Sequence, residues 1–232
     1  MTRRRCAPVL TLLMAIPAVA ASQVSVQAGV LVGRGEHRVV DDSVLVASSG
    51  TLVGGAVTLT LRERYQIRGE ALSGRLTTAA GGLEDHDIAE ARVLGGMKVR
   101  PWLVLETGFS VRNYSSPLAR QHWSAWRVGA EARVPLGFET VTAVLRGYWM
   151  PLVSVAGLAR PNVALATDVG VDWRGRRLGI GALYSFERYD FPATNAAQRL
   201  EELSTIRVRA ELWWSLARRV GAQDTHPGRD RP

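Results

Sequence analysis

Three histidines and one dense acidic run are where this 232-residue sequence could do chemistry. His37, His86 and His122 each fall in a polar stretch read as a long loop, with Glu36, Asp41, Asp42, Asp85 and Asp87 close by. The densest run is "EDHD", residues 84 to 87. Imidazole and carboxylate together can ligate a transition metal. No ligand spacing recurs here, however, so these groups read as solvated loop residues and no metal is predicted. Ser115 and Ser116 beside Tyr114 supply hydroxyls, but no spacing of nucleophile, base and orienting group is readable around them. The sequence therefore assigns no catalytic residue, no cofactor and no metal ligand, and predicts no enzyme activity.

A second set of ionisable groups is embedded in alternating segments. In "NVALATDVGVDWR", residues 162 to 174, Val163, Leu165, Val169, Val171 and Trp173 share one face of an extended strand. Asp168 and Asp172 share the other. The same period of two recurs in about ten segments, most of about 10–14 residues, the length of tilted membrane strands. "SQVSVQAGVLVGR", "IAEARVLGGMKVR" and "STIRVRAELWWSL" are examples. The links between them alternate long and short. "GEHRVVDDSVLVASSG", "TAAGGLEDHD", "SSPLARQHW", "PLVSVAGLARP" and "DFPATNAAQRLEEL" read as long; Arg62–Arg64, Arg100-Pro101, Pro135–Gly137 and Arg174–Arg176 read as tight. That pattern predicts an all-β fold: an up-and-down antiparallel barrel of about ten strands, with long loops at one end and short turns at the other.

The polar face carries both signs of charge. Its acids are Glu70, Glu90, Glu106, Glu131, Asp168, Asp172, Glu187 and Glu211. Its bases are Arg68, Arg92, Lys98, Arg112, Arg127, Arg133, Arg146, Arg207 and Arg209. The near balance predicts a charge-paired, largely filled lumen. The apolar face is clean through mid-strand, where a charge facing lipid would cost about 2–4 kcal/mol. Aromatic residues gather near strand ends, as expected of two interfacial belts. Tyr65, Trp102, Phe138, Trp173, Trp213 and Trp214 are placed at the short-turn end. Tyr114, Trp123, Trp126, Tyr148, Trp149, Phe186 and Tyr189 are placed at the long-loop end. The chain length predicts strands that do not project far above a bilayer.

The compartment is written at the start. "MTRRR" is basic, "APVLTLLMAIPAVA" is apolar and "AVA-AS" has small residues for cleavage, so residues 1–21 read as a secretory signal peptide. Cys6, the single cysteine, falls inside it, leaving no disulfide or thiolate site in the expected mature chain. Residues 22–216 form the expected barrel, and residues 217–232 a polar, disordered tail. The formal charge is +8, and all 29 basic residues except Lys98 are arginine. These arginines alternate with apolar residues instead of forming a patch, and no nucleic-acid motif accompanies them, so no nucleic-acid partner is predicted.

On these alternating segments the chain resembles the small outer-membrane β-barrel proteins of Gram-negative-type bacteria. The resemblance spans about residues 22 to 216 and rests on architecture, without a diagnostic motif. In such proteins the last strand carries the assembly signal; "IRVRAELWW" supplies Ile206, Val208, Ala210, Leu212 and Trp214. The polar tail beyond it is a departure. The resemblance implies the cell outer membrane as location, outer-membrane lipids and the barrel-assembly machinery as partners, and a ligand at the extracellular loops. It leaves four roles open. They are a structural or loop-interacting barrel, a narrow pore for small solutes, an omptin-like or lipid-modifying enzyme, and a water-soluble lipocalin-like barrel with its apolar face inside.

Overall fold

The computed structural model describes residues 24–42, 44–78, 85–138, 140–193 and 199–215. The expected signal peptide and tail lie outside the described residues. Ten strands follow in order: β1 (Val24–Asp41), β2 (Val44–Leu61), β3 (Tyr65–Thr78), β4 (His86–Arg100), β5 (Leu103–Ser115), β6 (Arg120–Pro135), β7 (Val141–Val155), β8 (Val163–Arg174), β9 (Leu178–Asp190) and β10 (Arg199–Ser215). Each pairs antiparallel with its sequence neighbours, and β1 closes on β10 from Ser25↔Ser215 to Asp41↔Arg199. Closure leaves no free sheet edge, the condition for a β structure in lipid.

The apolar parity of every strand points outward. Val30, Val53, Val93, Leu145, Val169 and Ile206 are all exposed on the barrel's exterior. This orientation rules out the water-soluble barrel, whose apolar face would be its core. Above the outer apolar band, toward the long-loop end, the same outward parity turns polar. Arg34, Glu36 and Arg38 on β1, Arg75 and Thr77 on β3, and Arg188 and Asp190 on β9 continue the outer face. Arg38 donates to Glu36 at 2.7 Å, and Arg188 to Asp190 at 3.1 Å. The strands thus project past the apolar band, contrary to the expectation from chain length.

That projection corrects the reading of the loops. The first long link is an extension of β1 and β2, still paired from Gly35↔Gly50 to Asp41↔Val44. Asp42, with φ of 56°, begins the turn at its tip. The histidines move with it: His37 lies in β1, His86 opens β4 and His122 lies in β6. Strand tips that stand in water carry polar residues on both faces, so they read as loop. At the other end, Arg62 and Glu63 both take positive φ, 52° and 55°, between β2 and β3. Two consecutive left-handed residues match the twist of the flanking strands, which is why so short a connection suffices.

Candidate functional site: a layered lumen

The inward parity of the strands builds a lumen in four layers. A cavity of about 970 Å³ opens at the short-turn end, with Arg68 among its lining residues. The next layer is ionic. Six arginines (Arg68, Arg92, Arg112, Arg127, Arg146 and Arg207) meet six carboxylates (Glu70, Glu90, Glu106, Glu131, Asp168 and Glu187), all buried. Two glutamates act as hubs. Glu131, with no exposed surface, accepts from Arg68 at 2.9 Å, Arg133 at 2.5 Å and Arg146 at 2.6 Å. Glu187 accepts from Arg112 at 2.5 Å and Arg127 at 2.6 Å, and from the Tyr189 hydroxyl at 2.8 Å.

The remaining members link the hubs. Glu90 accepts from Arg92 at 2.8 Å and lies 2.7 Å from Arg112. Glu70 lies 3.3 Å from Arg207. Glu106 takes Arg68, Gln66 at 2.9 Å and the Tyr148 hydroxyl at 2.5 Å. Asp168 pairs with Arg146 at 3.3 Å. Removing such charges from water costs several kcal/mol each, and the penalty is offset only when every carboxylate has close donors. Here each does.

Four other predicted members lie nearer the open end. Asp172 accepts from Arg209 at 2.8 Å, Glu211 lies 3.3 Å from Arg209, and Arg133 is half-exposed beside Glu131. Lys98 departs from the prediction. It is exposed at the cavity and joins no ion pair among the described residues. Its position at the last turn of β4 carries it beyond the ionic layer.

Above the ions lies an apolar layer that the sequence reading missed. Leu52, Leu76, Ile88, Tyr114, Trp123, Met150, Tyr189, Phe191 and Leu203 are buried inside the barrel. Trp123 packs edge-on against Tyr189, with centroids 4.9 Å apart. Trp123 and Tyr148, together with Tyr114 and Tyr189, therefore do not sit in a lipid belt. Trp123 is four residues from Arg127, and Tyr148 is two from Arg146, so each shares the parity of a lumen charge. That parity was the available signal. Trp213 is a further correction, since it shares the face of Arg209 and Glu211 and lines the open cavity. Trp126, Trp149 and Trp214 keep the outward parity and are exposed, as is Phe138, whereas Tyr65, Trp102 and Trp173 are exposed but also border the open cavity.

The topmost layer is a rim of polar rings. His37 stacks on Tyr114 with centroids 4.6 Å apart, and its Nε2 lies 3.2 Å from Glu201, which Arg199 also grips at 2.6 Å. Ser48 Oγ stands 3.4 Å from His86 Nε2. That separation is long for a hydroxyl bound to a base. His122 faces outward and shares a 2.6 Å contact with Asn113. Glu84 of the "EDHD" run lies outside the described residues, and no group of three His, Cys, Asp or Glu able to hold a metal occurs among the described residues.

A closed antiparallel barrel with an apolar exterior and a charged interior is the fold of the outer-membrane β-barrels. Comparison with protein-family models and with curated proteins finds no match. Among solved structures, an outer-membrane protease is similar in fold. The outer-membrane protease OmpT of Escherichia coli is 10% identical, with 83% of this chain and 97% of that chain covered at a TM-score of 0.57. The β domain of the Bordetella autotransporter BrkA is 13% identical, covering 83% and 100% at 0.44. Neisserial surface protein A is 10% identical, covering 82% and 96% at 0.36.

Proposed function

We propose that this chain is an integral protein of the bacterial outer membrane whose lumen is closed, and that it acts structurally or through its projecting extracellular rim. One observation carries the reading: six arginines and six carboxylates, all buried, fill the lumen across its ionic layer. The open cavity of about 970 Å³ reaches only to Arg68 and its neighbours. An internal space bordered by Glu90, Arg92 and Glu187 has a volume of about 10 Å³. One water needs roughly 10–15 Å³, so a hydrated solute finds no path. Balanced, mutually bonded charges favour a plug over a selective filter, because a filter must leave charge free for the permeant ion.

The outer apolar band supports lipid as the surrounding solvent, and the polar strand tips above it support a surface offered to an external ligand. Recording in planar bilayers tests the closed lumen. The refolded chain leaves the current at baseline. Stepwise ohmic openings would overturn the reading in favour of a pore for small solutes.

A further inference from the structure

The short-turn end carries features that a plugged barrel does not need. The cavity there falls in the range of about 300–1,000 Å³ typical of small-ligand pockets. Its inner carboxylates are committed to each other's arginines: Asp172 and Glu211 both take Arg209. Three cations lining it, Arg64, Lys98 and Arg174, form no ion pair among the described residues, against one unpaired acid, Glu63. Unpaired cations at the mouth of a low-dielectric cleft concentrate anions there.

The same cavity holds a fixed aromatic surface. Trp213 Nε1 donates to the Arg176 carbonyl at 2.8 Å, which locks the indole in place. The ring lies flat enough against β9 that a Cβ at Gly179 would come within 2.7 Å of it. Glycine at 179 is what lets the ring approach the backbone. The Arg174 guanidinium sits 4.5 Å from the centre of that ring. A guanidinium stacked this way is oriented and partly dehydrated, with its edge N–H groups left for a carboxylate or phosphate.

We propose that this vestibule binds a small anion bearing a phosphate or carboxylate group. Lys98 and its neighbour Arg64 supply charge from β4 and the β2–β3 turn, and Arg174 supplies it from β8, held in place on the Trp213 ring. The closed-barrel reading of the preceding section limits the source to that end: a solute of the periplasm or the headgroup of a neighbouring lipid.

The probe is adenosine 5′-monophosphate, titrated against the full chain in zwitterionic detergent micelles, where both ends of the barrel are open to solvent. Tryptophan emission falls saturably. Adenosine, lacking the charge, binds at least about tenfold more weakly, a difference of about 1.4 kcal/mol, and inorganic phosphate competes with the nucleotide when read by displacement. The double variant Lys98→Gln, Arg174→Gln keeps its heat-dependent gel shift and loses affinity by at least about tenfold. Doping the micelles with phosphatidylglycerol separates the sources. Weakened nucleotide binding identifies a headgroup competing for the site, and unchanged binding identifies a free solute. A response that never saturates, equal binding of adenosine, or unaltered affinity in the double variant overturns the proposal. Failure of the membrane reading would show separately, as a chain that stays folded and dispersed without detergent.

Discussion

Glu131 on β6 and Arg146 on β7 stand directly opposite each other in the strand register, with the arginine Nε 2.6 Å from the carboxylate. Two more arginines, Arg68 and Arg133, reach the same carboxylate. Glu131→Ala would leave Arg68 and Arg146 buried with their shared acceptor gone. The expected cost is about 3–5 kcal/mol, the range for breaking a buried pair from one side. Asp168→Ala is expected to cost less, because Arg146 keeps Glu131. Reversible urea unfolding in lipid vesicles measures both. Equal losses for the two variants would mean that the charges do not converge on Glu131.

Val169 lies on β8 next to Asp168 and faces the other way, 53% exposed on the barrel's exterior. Val169→Arg places a cation where the bilayer's hydrocarbon is expected, at a cost of about 2–4 kcal/mol near the midplane. Val169→Ala opens no internal cavity and is expected to cost far less than either. The same unfolding assay ranks the three. A Val169→Ala variant weakened as much as Glu131→Ala would place Val169 in a core.

Trp123 and Trp149 provide a test of which aromatics meet lipid. Trp123 is 4% exposed inside the barrel, and Trp149 is 58% exposed outside it. In variants retaining one tryptophan each, brominated acyl chains are expected to quench Trp149 strongly and to leave Trp123 bright. Comparable quenching of the two would return Trp123 to the belt.

The two ends of the barrel should face different compartments. Leu118, in the connection from β5 to β6, is 82% exposed at the long-loop end. Gly175 lies between β8 and β9 at the other. An epitope inserted after Leu118 is expected to bind antibody on intact cells, and one at Gly175 only after permeabilisation. The reverse pattern would invert the topology and move the proposed anion site to the cell exterior.

Much of this architecture is legible from period two alone. A side chain's parity along a strand decides its face, so "NVALATDVGVDWR" already places Asp168 opposite Val169. Ten such segments, clean apolar parity and mixed charges on the other parity determine a membrane-type barrel with a charged lumen. Trp123 and Tyr148 were equally legible, since each keeps the parity of a lumen arginine; ranking aromatics by nearness to strand ends obscured it. Three things required the tertiary structure. Which carboxylate serves which arginine depends on strands that are distant in sequence, as when Arg112 of β5 reaches Glu187 of β9. The projecting tips of β1 and β2 look like loop locally, because residues wet on both faces lose the alternation that marks a strand; only their pairing register reveals them. The ion-filled middle and the cavity at the short-turn end depend on how long side chains from the ten strands fill one volume. Periodicity along a single strand carries no information about that volume.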